Sequence, residues 1–193
     1  MSETSAVTGA THRQIIDAAV RLIAERGFSA TSVDEIAEAA GVAKGSVYYN
    51  FGSKADLFAQ ILTEGITRLT ASLRAALAAA GDRPPLAALA GELLRQVHDN
   101  PAFAKVVAAE VFRTGRDWQD SIRLIHDEAM AVFAQAVADS DPTLDPQDAE
   151  IAGSAVFGAT LVAGLEWLAF HPDRTVDQVL TTVLRALTPD VRR

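Results

Sequence analysis

Residues 31–51 decide the fold of this chain, and they read TSVDEIAEAAGVAKGSVYYNF. Ser32 stands where a helix can begin and Glu35 follows three residues later, which is the pattern of a capping box. The apolar residues that follow recur at helical spacing. Gly41 then marks a sharp turn, because a left-handed backbone is cheap only for glycine. The stretch therefore predicts a short helix that ends at Gly41 and a second helix that opens at Lys44.

Two short helices joined by a tight turn form a helix-turn-helix, in which the start of the second helix meets base edges in the major groove. Gly45 is small and allows a close approach, while Lys44 and Ser46 can reach bases or phosphates. Tyr48 and Tyr49 can donate their hydroxyls to phosphates, although Tyr48 also suits a half-buried core position. These five residues are candidate DNA contacts.

Three more residues complete the candidate DNA interface. Lys54 lies beside the start of the next helix, where free N–H groups already favour a phosphate; a solvated surface lysine is the alternative. Ser32 can contact a phosphate, although capping alone explains it. Asn50 can read adenine, but its place late in a short helix favours a phosphate contact or simple exposure.

The segment 31–57, which ends in YYNFGSKADL, resembles the DNA-binding core of the tetracycline-repressor (TetR) family of regulators. The resemblance covers about residues 11–60 at the level of motifs, and the rest of the chain matches only in length and helical character. It implies that Ser46, Tyr48, Tyr49 and Lys54 contact DNA. It also implies a homodimer with a small-molecule cavity in a helical second domain.

Two residues depart from the family pattern. Ala43 stands where a capping Ser or Thr is usual, and the missing cap costs about 1 kcal/mol. Asn50 stands where an aromatic residue or a histidine is common. The second departure bears on which operator sequence is read.

Composition restricts the function classes. The 193 residues contain no cysteine, which excludes disulfides and thiolate chemistry and fits a reducing cytoplasm. No signal peptide or comfortable membrane span is visible, the four histidines are scattered, and no nucleophile, metal or phosphate-loop motif is found. We therefore expect a cytoplasmic protein that is not an enzyme and that needs no cofactor or metal.

The charge balance argues for few, well-placed DNA contacts. The chain carries a net charge of −8, and its first 66 residues hold five basic against eight acidic side chains, a net charge of −3. No basic stripe of the kind that gives non-specific affinity is present. We therefore expect modest affinity for each protomer and a need for dimerisation.

Helical patterning over the whole chain predicts an all-α fold with two domains. Residues 1–60 form a three-helix DNA-binding domain whose first ten residues are disordered. Residues 61–193 form a helical regulatory and dimerisation domain. A long helix over residues 54–80 would connect the two mechanically.

Apolar stripes in the second domain indicate a ligand cavity, because pockets are apolar with a few polar anchors. Ordinary core packing is the alternative for each of these residues. The candidates are Phe103, Val107, Glu110, Trp118, Ile122, His126, Met130, Phe133, Phe157, Leu161 and Trp167.

The last two helices are the candidate dimer interface, since paired about a two-fold axis they would form a four-helix bundle. Packing onto their own chain is the alternative. The interface candidates are Ala152, Ala155, Ala159, Val162, Ala163, Val176, Val179, Leu180, Val183 and Leu184.

The sequence thus favours a homodimeric transcriptional regulator, foremost a repressor, that binds a pseudo-palindromic double-stranded operator. A small apolar or amphipathic effector would release it. The competing interpretation is a helical ligand-binding or protein-interaction module whose acidic DNA-binding head is vestigial.

Overall fold

The regular elements of this chain are helices throughout the described part. The computed structural model describes residues 2–111 and 123–187, and no strand occurs in these ranges. The predicted all-α fold is confirmed. The helices are α1 Ser2–Arg26, α2 Val33–Ala40, α3 Lys44–Phe51, α4 Lys54–Ala78, α5 Pro85–Asp99, α6 Pro101–Val111, a π-helical turn His126–Met130 that continues into α7 Ala131–Ser140, α8 Pro146–Phe170 and α9 Val176–Leu187.

The two ends of α2 are fixed by the devices that the sequence contains. The Ser32 N–H donates to Glu35 Oε2 at 2.8 Å, and the Glu35 N–H donates to Ser32 Oγ at 3.2 Å. Gly41 ends the helix with φ 67° and ψ 31°, the left-handed conformation that glycine adopts without strain. The capping box and this turn set the direction in which α3 leaves α2.

The first core lies under the helix-turn-helix and holds α1, α2, α3 and the first half of α4 together. Its fully buried members include Ile15 from α1, Ile36 from α2 and Leu57 from α4. Val106 of α6 joins the same cluster. The head, which comprises α1, α2, α3 and the first half of α4, therefore packs directly against a helix of the second domain.

The second core lies between α4, α5, α6, α7 and α8. Leu73, Leu89 and Phe133 are fully buried there. The predicted domain boundary at residue 60 falls inside α4, whose later residues, from Ile66 onward, belong to this core. The two domains thus share one continuous helix.

The N-terminus differs from expectation. The sequence predicts disorder over residues 1–10, whereas α1 begins at Ser2. Residues 2–10 contain no proline, so nothing in them blocks extension of the helix.

Gly153 sets the closest helix approach in the second domain. A Cβ atom on Gly153 of α8 would lie 2.4 Å from the backbone nitrogen of Ala134 in α7. Backbone atoms of a packed helix cannot move aside as the end of a side chain can. The α7–α8 contact therefore depends on glycine at this position.

Replacing Gly153 with alanine should lower the free energy of unfolding by about 1–3 kcal/mol, because the added methyl group overpacks the crossing. Urea unfolding of the variant measures this loss. The matched control is Gly9→Ala in α1, where nothing lies within 4 Å of an added Cβ. Equal stability of the Gly153→Ala variant and the wild type would contradict this account of the crossing.

Candidate DNA interface and ligand cavity

The recognition helix α3 begins without a side-chain cap. Ala43 occupies the capping position with φ −68° and ψ 144°, and it makes no side-chain cap hydrogen bond. The Ser46 N–H is bound by the Ala43 carbonyl at 2.8 Å. The first turn of α3 therefore lacks the side-chain acceptor that usually satisfies its N–H groups.

The two tyrosines lie on the outer side of α3. Tyr48 exposes 46% of its surface and Tyr49 exposes 86%, whereas Val47 and Phe51 are buried in the head core, as the sequence predicts. Gly45 is also exposed, and nothing lies within 4 Å of the position of its missing Cβ. This surface of α3 is free to meet a ligand as large as DNA.

Lys44 is held by an acidic neighbour on α2. Its Nζ lies 2.8 Å from Asp34 Oδ1, and the hydrogen bond and charge of Asp34 raise the pKa of Lys44. Both side chains are exposed, so the pair is weak and can be exchanged for another anion. To contact a phosphate or a guanine, Lys44 must leave Asp34.

Asn50 and Ser32 are engaged within the head. The Asn50 side-chain amide donates to the Ser46 carbonyl of its own helix at 2.7 Å. The Ser32 hydroxyl donates to Glu35 Oε2 at 2.8 Å. Both residues stay predicted DNA contacts, but each must exchange an internal hydrogen bond for one to DNA.

Lys54 has a structural role that the sequence did not reveal. Its Nζ donates to the carbonyls of Phe28 and Thr31, both at 2.8 Å, and lies 4.3 Å from the centre of the Phe28 ring. Two of its three N–H groups thus tie the start of α4 to the loop between α1 and α2. One N–H is left for the predicted phosphate contact.

A cavity of about 640 Å³ lies at the junction of the head and the second domain and is partly open to solvent. This volume is within the range of small-molecule sites. Helices α1, α4, α5, α6 and α8 contribute to it. The lining includes apolar Ile16, Val20, Ile61, Leu69, Leu93, Val97, Phe103, Val107, Phe157 and Leu161, and polar Asp17, Arg21, Arg68, Ser72, Gln96, Asp99 and Asn100.

Four of the predicted pocket residues, Phe103, Val107, Phe157 and Leu161, line this cavity, and the other described candidates do not. Those other candidates lie in the core or at the surface. Helix packing decides which side chains reach the cavity, and sequence spacing alone does not predict that packing. Trp118 and Ile122 lie outside the described residues. Met130 and Phe133 are in the second core, and Glu110 is buried but is not part of the lining. His126 pairs with Asp127 at 3.0 Å, and Trp167 packs with Leu94, Val179 and Val183.

Sequence reasoning missed the contribution of α1 and α4 to the cavity, including Arg21 and Arg68. One available signal was Gly65, a glycine inside a long helix, where glycine costs about 1 kcal/mol relative to alanine. A Cβ on Gly65 would lie 2.1 Å from the Phe103 ring, so α6 places that ring directly on the α4 backbone.

The outer surface of α8 is apolar and exposed. Ile151, Ala155, Ala159 and Val162 follow one another along it, and all four are exposed. By length and composition α8 could also cross a membrane, the one such helix in the described ranges, but core helices of soluble proteins pass the same test. This surface includes three of the predicted interface residues.

The predicted interface on α9 needs correction at two positions. Val179 and Val183 are buried within the chain, where they pack with Leu94 of α5 and Trp167 of α8. The Trp167 indole N–H also donates to the Arg174 carbonyl at 3.0 Å, which fixes the turn before α9. Val176, Leu180 and Leu187 are partly buried against the same cluster, so most of the apolar stripe of α9 covers its own domain.

Comparisons with known proteins agree with this architecture. Residues 15–61 match the family model described as bacterial regulatory proteins, tetR family. Over 92% of its length the chain is 26% identical to the HTH-type transcriptional repressor KstR of Mycobacterium tuberculosis, of which the match covers 80%. The chain belongs to the TetR family.

Some TetR-family proteins are similar to this chain in sequence over the head alone, and others are similar in fold over nearly its whole length. The regulator AcrR of Shigella flexneri is 49% identical over 51 residues, which cover 26% of this chain and 24% of that protein. The structure of the fatty acid degradation regulator FadR from Bacillus halodurans superposes with a TM-score of 0.78 at 24% identity, covering 93% of this chain and 99% of that one. The TetR family consists of bacterial regulatory proteins, and the relatives named here are transcriptional regulators.

Replacing Ala43 with serine should stabilise the protein by about 1 kcal/mol, because a hydroxyl at this position can accept from a free N–H of α3. A rise in melting temperature measures this gain. The control is Ala39→Ser on the exposed side of α2, where serine has no N–H to cap and should be slightly destabilising. If the Ala43→Ser and Ala39→Ser variants melt together, α3 gains nothing from a cap.

Replacing Asp34 with asparagine should raise DNA affinity about threefold at low salt, because Lys44 is then released for DNA. The control is Glu38→Gln on the same helix, which makes the same change in net charge without touching Lys44. Fluorescence anisotropy with labelled operator DNA compares the two. Equal gains would show that only net charge matters and that the Asp34–Lys44 pair does not restrain binding.

Proposed function

We propose that this protein is a homodimeric repressor that binds a pseudo-palindromic operator and is released by a small apolar or amphipathic ligand. The observation that carries the proposal is the position of the cavity. It is lined by α1 of the head and by α4, the helix that also buries residues in both cores. A ligand that fits one arrangement of these helices better than another shifts the head.

The DNA-binding part of the proposal is supported by the surface of α3. Gly45, Tyr48 and Tyr49 are exposed beside a helix start whose N–H groups lack a side-chain cap. Helix starts of this kind favour phosphates. Because the head is acidic, one protomer offers few cations, and two heads on one operator would supply the missing affinity.

The dimer is supported by the apolar outer surface of α8. Small side chains at Ala155 and Ala159 permit close approach of a second helix, and Ile151 and Val162 add exposed apolar area. A two-fold axis through this surface would place two recognition helices on half-sites about one turn of DNA apart. This arrangement requires a pseudo-palindromic operator, and a cytoplasmic location would give access to it.

The lining of the cavity indicates the chemical class of the ligand. The cavity is apolar with a polar mouth, as amphipathic molecules require. The FadR regulator of Bacillus subtilis, whose structure superposes with a TM-score of 0.76 at 21% identity, was solved in complex with stearoyl-CoA. A long-chain acyl thioester is therefore the first effector to test on this chain.

Selection from a random pool of double-stranded DNA at two salt concentrations tests the proposal. We expect a pseudo-palindromic winner, steep salt dependence and a dimeric mass in solution. Stearoyl-CoA added to the selected complex should release the DNA. A folded dimer that enriches no sequence, with or without stearoyl-CoA, would instead favour a ligand-binding or interaction module with a vestigial head.

Replacing Lys54 with methionine should change two separate quantities. The melting temperature should fall, because the carbonyls of Phe28 and Thr31 each lose the hydrogen bond from Lys54. The slope of log affinity against log salt should fall by about 0.9 as one phosphate contact is lost.

The control for this variant is Lys105→Met on the exposed side of α6, which removes the same charge outside the head. It should leave both quantities unchanged. A lower melting temperature for the Lys54→Met variant with an unchanged salt slope would assign Lys54 to the loop alone and remove it from the DNA interface.

A further inference from the structure

Two arginines from different domains stand at the mouth of the cavity. Arg21 comes from α1 of the head and Arg68 from α4; both are exposed, whereas apolar Leu69 and Phe103, which line the same cavity, are buried and half-buried. Since the guanidinium group binds carboxylates and phosphates through paired N–H groups, this arrangement suits a molecule with an apolar tail and an anionic end. The inference rests on the ligand-release function proposed above.

Arg68 is held loosely in the structure. Its Nη1 lies 3.5 Å from Glu64 Oε2, and 67% of its side chain is exposed. Strong charged hydrogen bonds are shorter, about 2.7–2.9 Å, and exposed pairs contribute little. Arg68 can therefore exchange Glu64 for an anion in the cavity at low cost.

The mouth also contains two carboxylates, which would favour a cation instead. Asp99 already accepts from the neighbouring His98, whose Nδ1 lies 2.9 Å from Asp99 Oδ1. Asp17 lies one helical turn before Arg21 on α1, at the spacing where opposite charges on a helix attract. The two arginines each offer a forked set of N–H donors, which suits a carboxylate or phosphate, and Arg68 is only loosely paired; this favours the anion.

Glu64 connects Arg68 to the recognition helix. Its Oε1 lies 3.3 Å from His12 Nε2 and accepts from Gln60 at 2.9 Å. The His12 ring stacks on Phe51, the last residue of α3, with ring centres 4.6 Å apart. Contacts therefore run without interruption from Arg68 at the cavity mouth to the end of the helix that meets DNA.

The charge state of Glu64 suits this role. Partial burial pushes the pKa of Glu64 upward, but the hydrogen bonds from Gln60 and His12 and the charges of His12 and Arg68 outweigh it. The pKa of Glu64 is therefore lowered, and the group is an anion at neutral pH. When Arg68 leaves, the Glu64 carboxylate keeps its partners His12 and Gln60 on the head side and is no longer held toward Arg68.

We propose that the cavity binds an apolar ligand with an anionic end, that Arg68 binds this end, and that the resulting loss of the Arg68–Glu64 contact acts on the recognition helix through His12 and Phe51. Arg21 assists from the head. The charge of the ligand, and not only its volume, thus acts on α3. An anion that binds the released state better than the DNA-bound state shifts the equilibrium by that difference.

The ligand class is tested with three matched probes: decanoate, decanol and decyltrimethylammonium, each below its aggregation range. Calorimetry should give decanoate roughly tenfold tighter binding than decanol, the effect of one charged hydrogen bond. In the Arg68→Gln variant this advantage should vanish while decanol binding stays unchanged. Arg74→Gln, an exposed arginine on the same helix outside the cavity lining, is the control and should bind as the wild type does.

Equal binding of decanoate and decanol, tighter binding of decyltrimethylammonium, or an unaffected Arg68→Gln variant would overturn the anionic subsite. Because these measurements need no DNA, they stand apart from the repressor proposal. If the wild type binds decanoate as described but selects no DNA sequence from the random pool, the proposed function is contradicted and the anionic subsite is still supported.

The connection to the recognition helix is tested with Glu64→Gln, which keeps hydrogen bonding to His12 and Gln60 but removes the charge. This variant should bind decanoate at least as tightly as the wild type, because Arg68 has no competing anion. The fold-increase in the operator's dissociation constant on saturation with decanoate should fall to the value that decanol gives. Undiminished release of operator in this variant would contradict the His12 route, whereas a merely structural Glu64 would lower the melting temperature without uncoupling ligand from DNA.

Discussion

The structure depends on the continuity of α4. Its first turns bury Leu57, Phe58 and Ile61 in the head core, and its later turns bury Ile66 and Leu73 in the second core. Because a hydrogen-bonded helix bends only gently, a displacement of one half of α4 moves the other half with it. The cavity lies beside this shared helix, so the space available to a ligand and the position of the head are set by the same element.

Several positively charged side chains of the head already have partners within the protein. Lys44 pairs with Asp34, Arg26 pairs with Glu35 at 2.8 Å, and Lys54 binds two carbonyls of the protein itself. DNA must therefore compete with internal partners for these cations. Such competition lowers the affinity for any DNA, and the effect is largest for DNA that the protein contacts only through phosphates. Discrimination between DNA sequences therefore rests on the residues of α3 that face the groove.

Local signals made the helix-turn-helix predictable. The capping box at Ser32 and the turn at Gly41 lie within a few residues of the groups that they bind, and both were found as the sequence indicates. Lys54 was only half understood because its partners, Phe28 and Thr31, lie 26 and 23 residues earlier. The cavity was predicted in part for the same reason. A stripe at helical spacing shows that a face is buried, but tertiary packing decides whether a residue meets only the core, as Phe133 does, or also lines a cavity, as Phe157 does.

The contact between Gly65 and Phe103 has a consequence for how this protein can change. The Phe103 ring fills the space in which any side chain at position 65 would have to lie, and the same ring forms part of the cavity wall. A single substitution at position 65 would force the ring to move and so change the shape of the cavity, whereas a smaller residue at position 103 would enlarge it. Ligand size is thus adjustable by one mutational step at a site that contacts neither DNA nor the outer surface of α8.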